Sequence, residues 1–103
     1  MDPLLAWARK RLPEAIAFIR TLVECESPSD DPAAVDRFID LFASKLEGLG
    51  RVRTFAGDGK VGRHLRCEFD LPGPKDKAGQ ILALGHADTV WPIGTLRTMP
   101  WRE

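Results

Sequence analysis

Apolar residues recur every three or four positions near the start of the chain. Between residues 2 and 25 this spacing places them on one face, which predicts a first helix. Asp2 can cap the helix, and Pro3 suits the first helical position because an N–H there has no internal partner. Pro13 is expected to kink or restart the helix, since it removes one internal hydrogen bond. The residues of the apolar face are Leu5, Ala8, Leu12, Ile16, Ile19 and Val23.

A second helix is predicted after the loop "ESPSDDP". Asp31 and Pro32 repeat the cap-then-proline start, and Gly48 and Gly50 supply the stop. Charged residues occupy the opposite side, so this helix is amphipathic. Its apolar face comprises Val35, Phe38, Ile39, Phe42, Leu46 and Leu49.

After Gly50 the hydrophobic period changes from helical to two. "RVRTF" at 51–55 predicts a short strand, and "LRCEFDL" at 65–71 alternates as a half-exposed strand does. "QILALG" at 80–85 is apolar without alternation, which predicts a strand covered on both faces. The pattern therefore predicts an α/β fold, with two N-terminal helices followed by strands of a mixed sheet.

The composition fits one modest globular domain of 103 residues. Its 15 basic residues balance 15 acidic ones, so no net field favours nucleic acid or an anionic membrane as a partner. No apolar run is long enough to span a bilayer, and the first residues lack the order of a signal peptide. The widely separated Cys25 and Cys67 predict buried free thiols in a reducing compartment, so a cytoplasmic protein is expected.

The stretch "GDGKVG" at 57–62 matches the dinucleotide-binding pattern G-x-G-x-x-G. That motif receives a pyrophosphate only where it opens a helix. Here the following residues alternate like a strand, so the glycines are expected to form a turn between two strands. His64, just beyond, has only the rather distant Asp70 as an acidic neighbour on its face, and a solvated strand-end histidine is expected.

The main candidate for chemistry is His86, which ends the apolar run and is followed by Asp88. Residues two apart in an extended chain point to the same side, so the Asp88 carboxylate can fix one imidazole nitrogen and leave the other free for a metal. Ligands in open α/β sheets also gather beyond the carboxyl ends of strands. The alternative is a strand-end histidine that binds no metal. One histidine and one aspartate are only half of a zinc site, which needs three or four ligands.

The stretch "ILALGHADTVWPIGTL" at 81–96, followed by "MPW", resembles the zinc carboxypeptidase and deacylase family. This family includes glutamate carboxypeptidase, acetylornithine deacetylase, succinyl-diaminopimelate desuccinylase and aminoacylase. The shared pattern is an apolar strand, Gly-His-x-Asp-Thr-Val, a Pro-x-Gly turn and a Pro-aromatic pair. The upstream order of helices and strands, with "SPS" at 27–29, is similar too, so the resemblance covers essentially the whole chain. The Pro-x-Gly-x-Leu continuation is most similar to the glutamate carboxypeptidase branch.

The resemblance implies a role for both candidate residues. His86 would ligate one ion of a two-zinc pair, with cobalt as an alternative metal, and Asp88 would be the catalytic-site residue that orients His86. The metal pair would hold a water for attack on an amide carbonyl, and a glutamate would act as general base. Small peptides or N-acyl amino acids would be the substrates, and the full-length protein could form a homodimer.

The family's other ligands, its general base and its inserted lid domain correspond to positions beyond Glu103. Residues 1–103 are therefore expected to be the N-terminal portion of a metallopeptidase catalytic domain, inactive by themselves. The competing hypothesis is a complete small α/β module with a binding or structural role and no catalysis.

Overall fold

The fold was analysed in a computed structural model that describes residues 1–76 and 78–103. Two α-helices come first, α1 (Pro3–Val23) and α2 (Pro32–Leu46). Two strands follow, β1 (Arg51–Phe55) and β2 (His64–Glu68), and a short 3₁₀ helix covers Thr95–Arg97. The prediction of two helices followed by strands is confirmed, and the described part of the chain is a small α/β fold.

Both helices begin as the sequence predicts. The Asp2 carboxylate accepts hydrogen bonds from the amides of Leu4 and Leu5, at 2.8 and 3.2 Å. The Asp31 carboxylate accepts one from the amide of Ala34, at 3.0 Å. In each case a proline occupies the first turn, where the absent N–H leaves no donor without a partner.

Pro13 does not interrupt α1, contrary to the prediction that the helix would kink or restart there. The helix runs without a break from Pro3 to Val23 with Pro13 inside it. A proline removes the hydrogen bond to the carbonyl four residues earlier, which belongs to Arg9. Both residues lie on the exposed side of the helix, so water can reach the carbonyl that loses its partner.

The two strands form an antiparallel hairpin. Val52 pairs with Cys67 and Phe55 pairs with His64, so β1 runs its full length against β2. The "GDGKVG" stretch is the connection between them, and the Asp58 carboxylate accepts hydrogen bonds there from the amides of Lys60 and Val61. Because this stretch leads into a strand, it lacks the helix that a dinucleotide-binding motif requires. The predicted turn is confirmed, as is the exposed strand-end position of His64.

The core lies on one face of α2, which packs against α1 and against both strands. Ala34, Val35 and Ile39 of α2 have buried apolar side chains, and Pro28 in the loop before this helix is buried as well. The Phe42 ring lies 6.4 Å from the ring of Phe18, which joins the two helices through an aromatic contact.

A second link joins α2 to the start of β2 through Arg63. The backbone amide of Arg63 donates to the Asp36 carboxylate at 2.8 Å, and its guanidinium donates to the Asp40 carboxylate at 2.7 Å. These polar contacts hold Gly62 and its neighbours against the helix. Exposed ion pairs of this kind contribute little individually, so they orient the hairpin more than they stabilise it.

Gly62 provides a test of how closely the hairpin approaches α2. A Cβ atom added at Gly62 would lie 2.4 Å from Cγ1 of Val35 and 2.5 Å from its Cβ. We expect Gly62→Ala to lower the free energy of unfolding by about 1–3 kcal/mol, because the buried contact must open. Urea denaturation followed by circular dichroism measures this. Gly85→Ala is the matched control, since a Cβ there meets no described atom within 4 Å; an equal loss in both variants would contradict the packing.

Residues 80–85 do not form the predicted strand. In the structure this described segment has no regular secondary structure, and Ile81 and Leu84 are 92% and 89% exposed. The prediction that this run is covered on both faces is therefore also wrong for the described residues, and a strand needs a neighbour for its backbone N–H and C=O groups. Within the described residues, β1 and β2 pair with each other and neither pairs with this segment.

The chain exposes more surface than a compact protein of its size. Its accessible surface is 8627 Å² at a mass of 11.5 kDa, where a compact monomer exposes about 5,800 Å². The radius of gyration is 16.5 Å, against about 13 Å for a compact domain of 100 residues. Large apolar side chains of α1 and of 81–84 account for part of this surface.

Both cysteines are free thiols, and each is half-buried, whereas full burial was predicted. Partial burial raises the pKa of the Cys25 thiol above its usual value, and the charge of Arg37 opposes this. In the part of the chain that the structure describes, no helix combines the length and the apolar character needed to cross a membrane.

Candidate functional site

The segment that follows the exposed apolar run is held by the loop between α1 and α2. The amide of Thr89 donates to the carbonyl of Ser27 at 2.9 Å, and the amide of Ser29 donates to the carbonyl of Thr89 at 2.8 Å. These two bonds form an isolated parallel bridge between Pro28 and Thr89. The loop residues 26–29, "ESPS", are called the anchor loop below.

Ser27 adds a side-chain contact to this bridge. Its hydroxyl donates to the carbonyl oxygen of Ala87 at 2.7 Å, and the residue is only 2% exposed. A buried hydroxyl needs such a partner, because leaving it unpaired costs about 1–3 kcal/mol. The anchor loop therefore fixes the backbone on the C-terminal side of His86 at two positions, Ala87 and Thr89.

The imidazole of His86 projects from this fixed segment. Its Nδ1 lies 2.9 Å from the backbone carbonyl oxygen of Asp88 and 3.5 Å from the Asp88 carboxylate oxygen Oδ1. Both neighbours are acceptors, so Nδ1 carries the proton and donates it to the carbonyl. Nε2 then keeps its lone pair, and the side chain is 83% exposed. This is the tautomer that a metal-binding histidine uses at Nε2.

Asp88 contributes to this arrangement through its backbone more directly than through its side chain. The sequence pattern predicts the carboxylate as the partner of His86, whereas the carbonyl oxygen is the nearer acceptor. The nearby Ser29 hydroxyl lowers the pKa of Asp88 below its usual value, with partial opposition from burial and a smaller contribution from His86. The same hydroxyl lies 2.9 Å from the carbonyl oxygen of Thr89.

The other candidate ligands of the chain are not gathered around His86. Across residues 1–76 and 78–103, no three His, Cys, Asp or Glu side chains are grouped so that they could hold a metal ion together. His64 stands at the start of β2, opposite Phe55. His86 and Asp88 thus lie close together, as predicted, without further candidate ligands beside them among the described residues.

Glu26 is the functional candidate that the sequence analysis missed. Its carboxylate accepts hydrogen bonds from the amide of Gly94, 3.0 Å from each oxygen, and from the amide of Leu96 at 3.2 Å. These contacts join residues 68 and 70 positions apart. A sequence signal was present, since Glu26 directly precedes the "SPS" stretch that is part of the resemblance. Sequence spacing alone, however, does not show which backbone amides donate to its carboxylate.

In comparisons with known proteins, no family model, curated protein or solved structure matches the chain. The interpretation of the site therefore depends on its own geometry. The protonated Nδ1 and the exposed Nε2 of His86 fit one ligand position of a zinc ion, and the neighbouring Asp88 fits the part of an orienting group.

Proposed function

We propose that residues 1–103 form the N-terminal portion of a zinc-dependent amidohydrolase or exopeptidase, most similar to glutamate carboxypeptidase. His86 is proposed to ligate one metal ion through Nε2. Asp88 is proposed to orient His86. Its backbone carbonyl oxygen is the direct partner of Nδ1, and its carboxylate is the second, more distant acceptor. The strands that the sequence predicts as part of a mixed sheet belong, on this proposal, to the start of an exopeptidase catalytic domain.

The observation that carries the proposal is the 2.9 Å contact between Nδ1 of His86 and the carbonyl oxygen of Asp88, which favours the Nδ1–H tautomer. An exposed histidine with no role has no need of a partner for Nδ1, whereas a metal ligand gains basicity and orientation from one. Here the partner is held in place by the anchor loop, from Ser27 and Ser29, more than 50 residues away in sequence. The arrangement leaves one nitrogen directed to solvent with its lone pair available.

The large exposed surface also supports the proposal over that of a complete small module. The excess over a compact monomer is at least as large as the surface that one partner loses in a permanent interface, which is about half of a total of about 2,000–5,000 Å². The apolar side chains at 81–84 are the residues that a neighbouring strand and helix would cover in a larger domain. On this proposal the remaining metal ligands and the general base come from polypeptide other than these 103 residues.

The chemistry follows from the kind of site proposed. A bound zinc or cobalt pair supplies a Lewis acid for the amide carbonyl and a water of lowered pKa. The contribution of this chain is to present Nε2 of His86 in one orientation and to keep Nδ1 protonated. The proposed substrates are small peptides or N-acyl amino acids, and a homodimer is proposed for the full-length protein.

A cobalt titration of the ¹⁵N-labelled chain tests the ligand assignment. Co²⁺ should broaden the ring signals of His86 and the amide signals of 87–89 at lower concentration than those of His64. His64 is the internal control, because it is exposed as well but begins a strand and does not belong to the anchored segment. Equal broadening of the two histidines would contradict the proposed metal site.

A further inference from the structure

The Glu26 carboxylate occupies a place that a helix cap normally fills from nearby. Gly94 precedes the 3₁₀ helix Thr95–Arg97 in the left-handed region, at φ +94°, and has no side chain with which to cap it. The amides at the start of a helix need an acceptor, and a carboxylate is the most favourable one. Glu26 supplies it from the other end of the chain, through both of its oxygens.

Charge as well as geometry favours the ionised form of Glu26. The hydrogen bonds from Gly94 and Leu96 lower the pKa of this carboxyl below its usual value of 4.5, and the positive charge of Arg97 acts in the same direction. Partial burial opposes them. Since the folded-state pKa is depressed, the contact is present above it and is lost as the pH falls through it.

Two ends of one segment are therefore held by a single loop. Ser27 and Ser29 of the anchor loop bind 87–89, directly after His86, and Glu26 binds 94–96 at the end of the same connection. The residues between, from Val90 to Ile93, are exposed. Because these residues offer little packing of their own, the hydrogen bonds at the two ends together determine the position of the segment.

We infer that Glu26 is a positioning residue for His86: by fixing the 94–96 amides, it holds the backbone turn on which the Nδ1 contact of His86 depends. The inference rests on the proposed function only for the reason why His86 is positioned. The orientation of the imidazole itself can be measured without a metal. Glu26 does not act as a metal ligand here, because its oxygens are occupied by backbone amides.

The test compares Glu26→Gln with the wild-type chain by ¹⁵N NMR of the histidine rings in mildly alkaline buffer. Glutamine has nearly the same shape but no charge: its carbonyl oxygen accepts from these amides more weakly than a carboxylate oxygen, and its NH₂ group cannot accept at all. We expect His86 to change from the Nδ1–H form to the Nε2–H form that predominates in free histidine, with His64 unchanged. Glu26→Ala, which removes both acceptors, should give the larger change if it folds.

Glu24→Gln is the matched control. Glu24 lies two residues away and is exposed, and its carboxylate pairs with Arg20 at 3.0 Å, away from the 94–96 amides. It should leave the His86 tautomer unchanged. In wild type, the amide proton shifts of Gly94 and Leu96 should follow the ionisation of Glu26 with a midpoint below 4.5, and Glu26→Gln should abolish this titration while Glu24→Gln retains it.

The outcomes separate this inference from the proposed function. If Glu26→Gln changes the tautomer and weakens Co²⁺ binding at His86 about tenfold, as loss of an outer partner does, both are supported. If the tautomer changes but Co²⁺ does not select His86 even in wild type, the positioning stands and the metal site fails. If Glu26→Gln leaves the His86 tautomer as in wild type, the positioning inference is overturned, whatever the result with Co²⁺.

Discussion

Replacing His86 by alanine is expected, on the proposed function, to reduce amide hydrolysis by the full-length protein by about 100-fold or more, with no loss of stability. Loss of an outer partner of a metal ligand already costs about 10–100-fold, so loss of the ligand itself should reach at least the upper end. The fold should be unaffected because the His86 side chain is 83% exposed. Initial rates on N-acyl amino acids with Zn²⁺ or Co²⁺, together with thermal unfolding, measure both parts.

His64→Ala is the matched control for this experiment. Both histidines are exposed, so any general effect of removing an imidazole should occur in both variants. Only His86 has its Nδ1 held against a fixed carbonyl. Wild-type rates for His86→Ala would rule out the proposed ligand, and equal losses in the two variants would point to an effect on folding or solubility.

Replacing Ile39 by alanine is expected to produce the largest loss of stability of any single truncation in α2. The side chain is 4% exposed and fills the space between the helix and its neighbours. Removing such a group costs about 2–5 kcal/mol, because both the burial of the lost atoms and the contacts around the remaining cavity are forfeited. For a protein with few buried side chains this is a large share of a total stability that is typically about 5–15 kcal/mol.

Urea denaturation of Ile39→Ala, at matched protein concentration, gives the change in the free energy of unfolding. Leu4→Ala on α1 is the control, since that leucine is 73% exposed and its truncation should change stability by no more than about 0.5 kcal/mol. If the core lay elsewhere, Leu4→Ala would lower the free energy of unfolding more than Ile39→Ala. In that event the exposed face of α1, and not α2, would be the principal site of packing.

Local signals in the sequence were enough to predict the helices and the hairpin. Asp2 and Asp31 cap their helices from within the first turn, so sequence spacing alone identifies them. The alternation at 51–55 and 65–71 likewise locates β1 and β2, because side chains on successive strand positions face opposite sides. However, β2 ends at Glu68, and the predicted residues 69–71 lie outside it. These features depend on residues a few positions apart, which the printed sequence displays directly.

Features that depend on distant residues were predicted less well. The apolar run at 80–85 shows that a segment favours burial but does not show which strand or helix would cover it. The pair of His86 and Asp88 was found from its spacing, whereas the role of the Asp88 carbonyl depends on a backbone turn that the anchor loop imposes. Glu26 was missed for the same reason, since its partners are 68 and 70 residues away.

The anchor loop also has a consequence for the order in which the molecule assembles. Its hydrogen bonds to 87–89 close a loop of about 60 residues. Closing this loop costs conformational entropy, which opposes the formation of these bonds. The helices and the hairpin close much shorter loops and can form first. The lone pair of His86 is therefore expected to become oriented late in folding, after the two helices and the hairpin have formed.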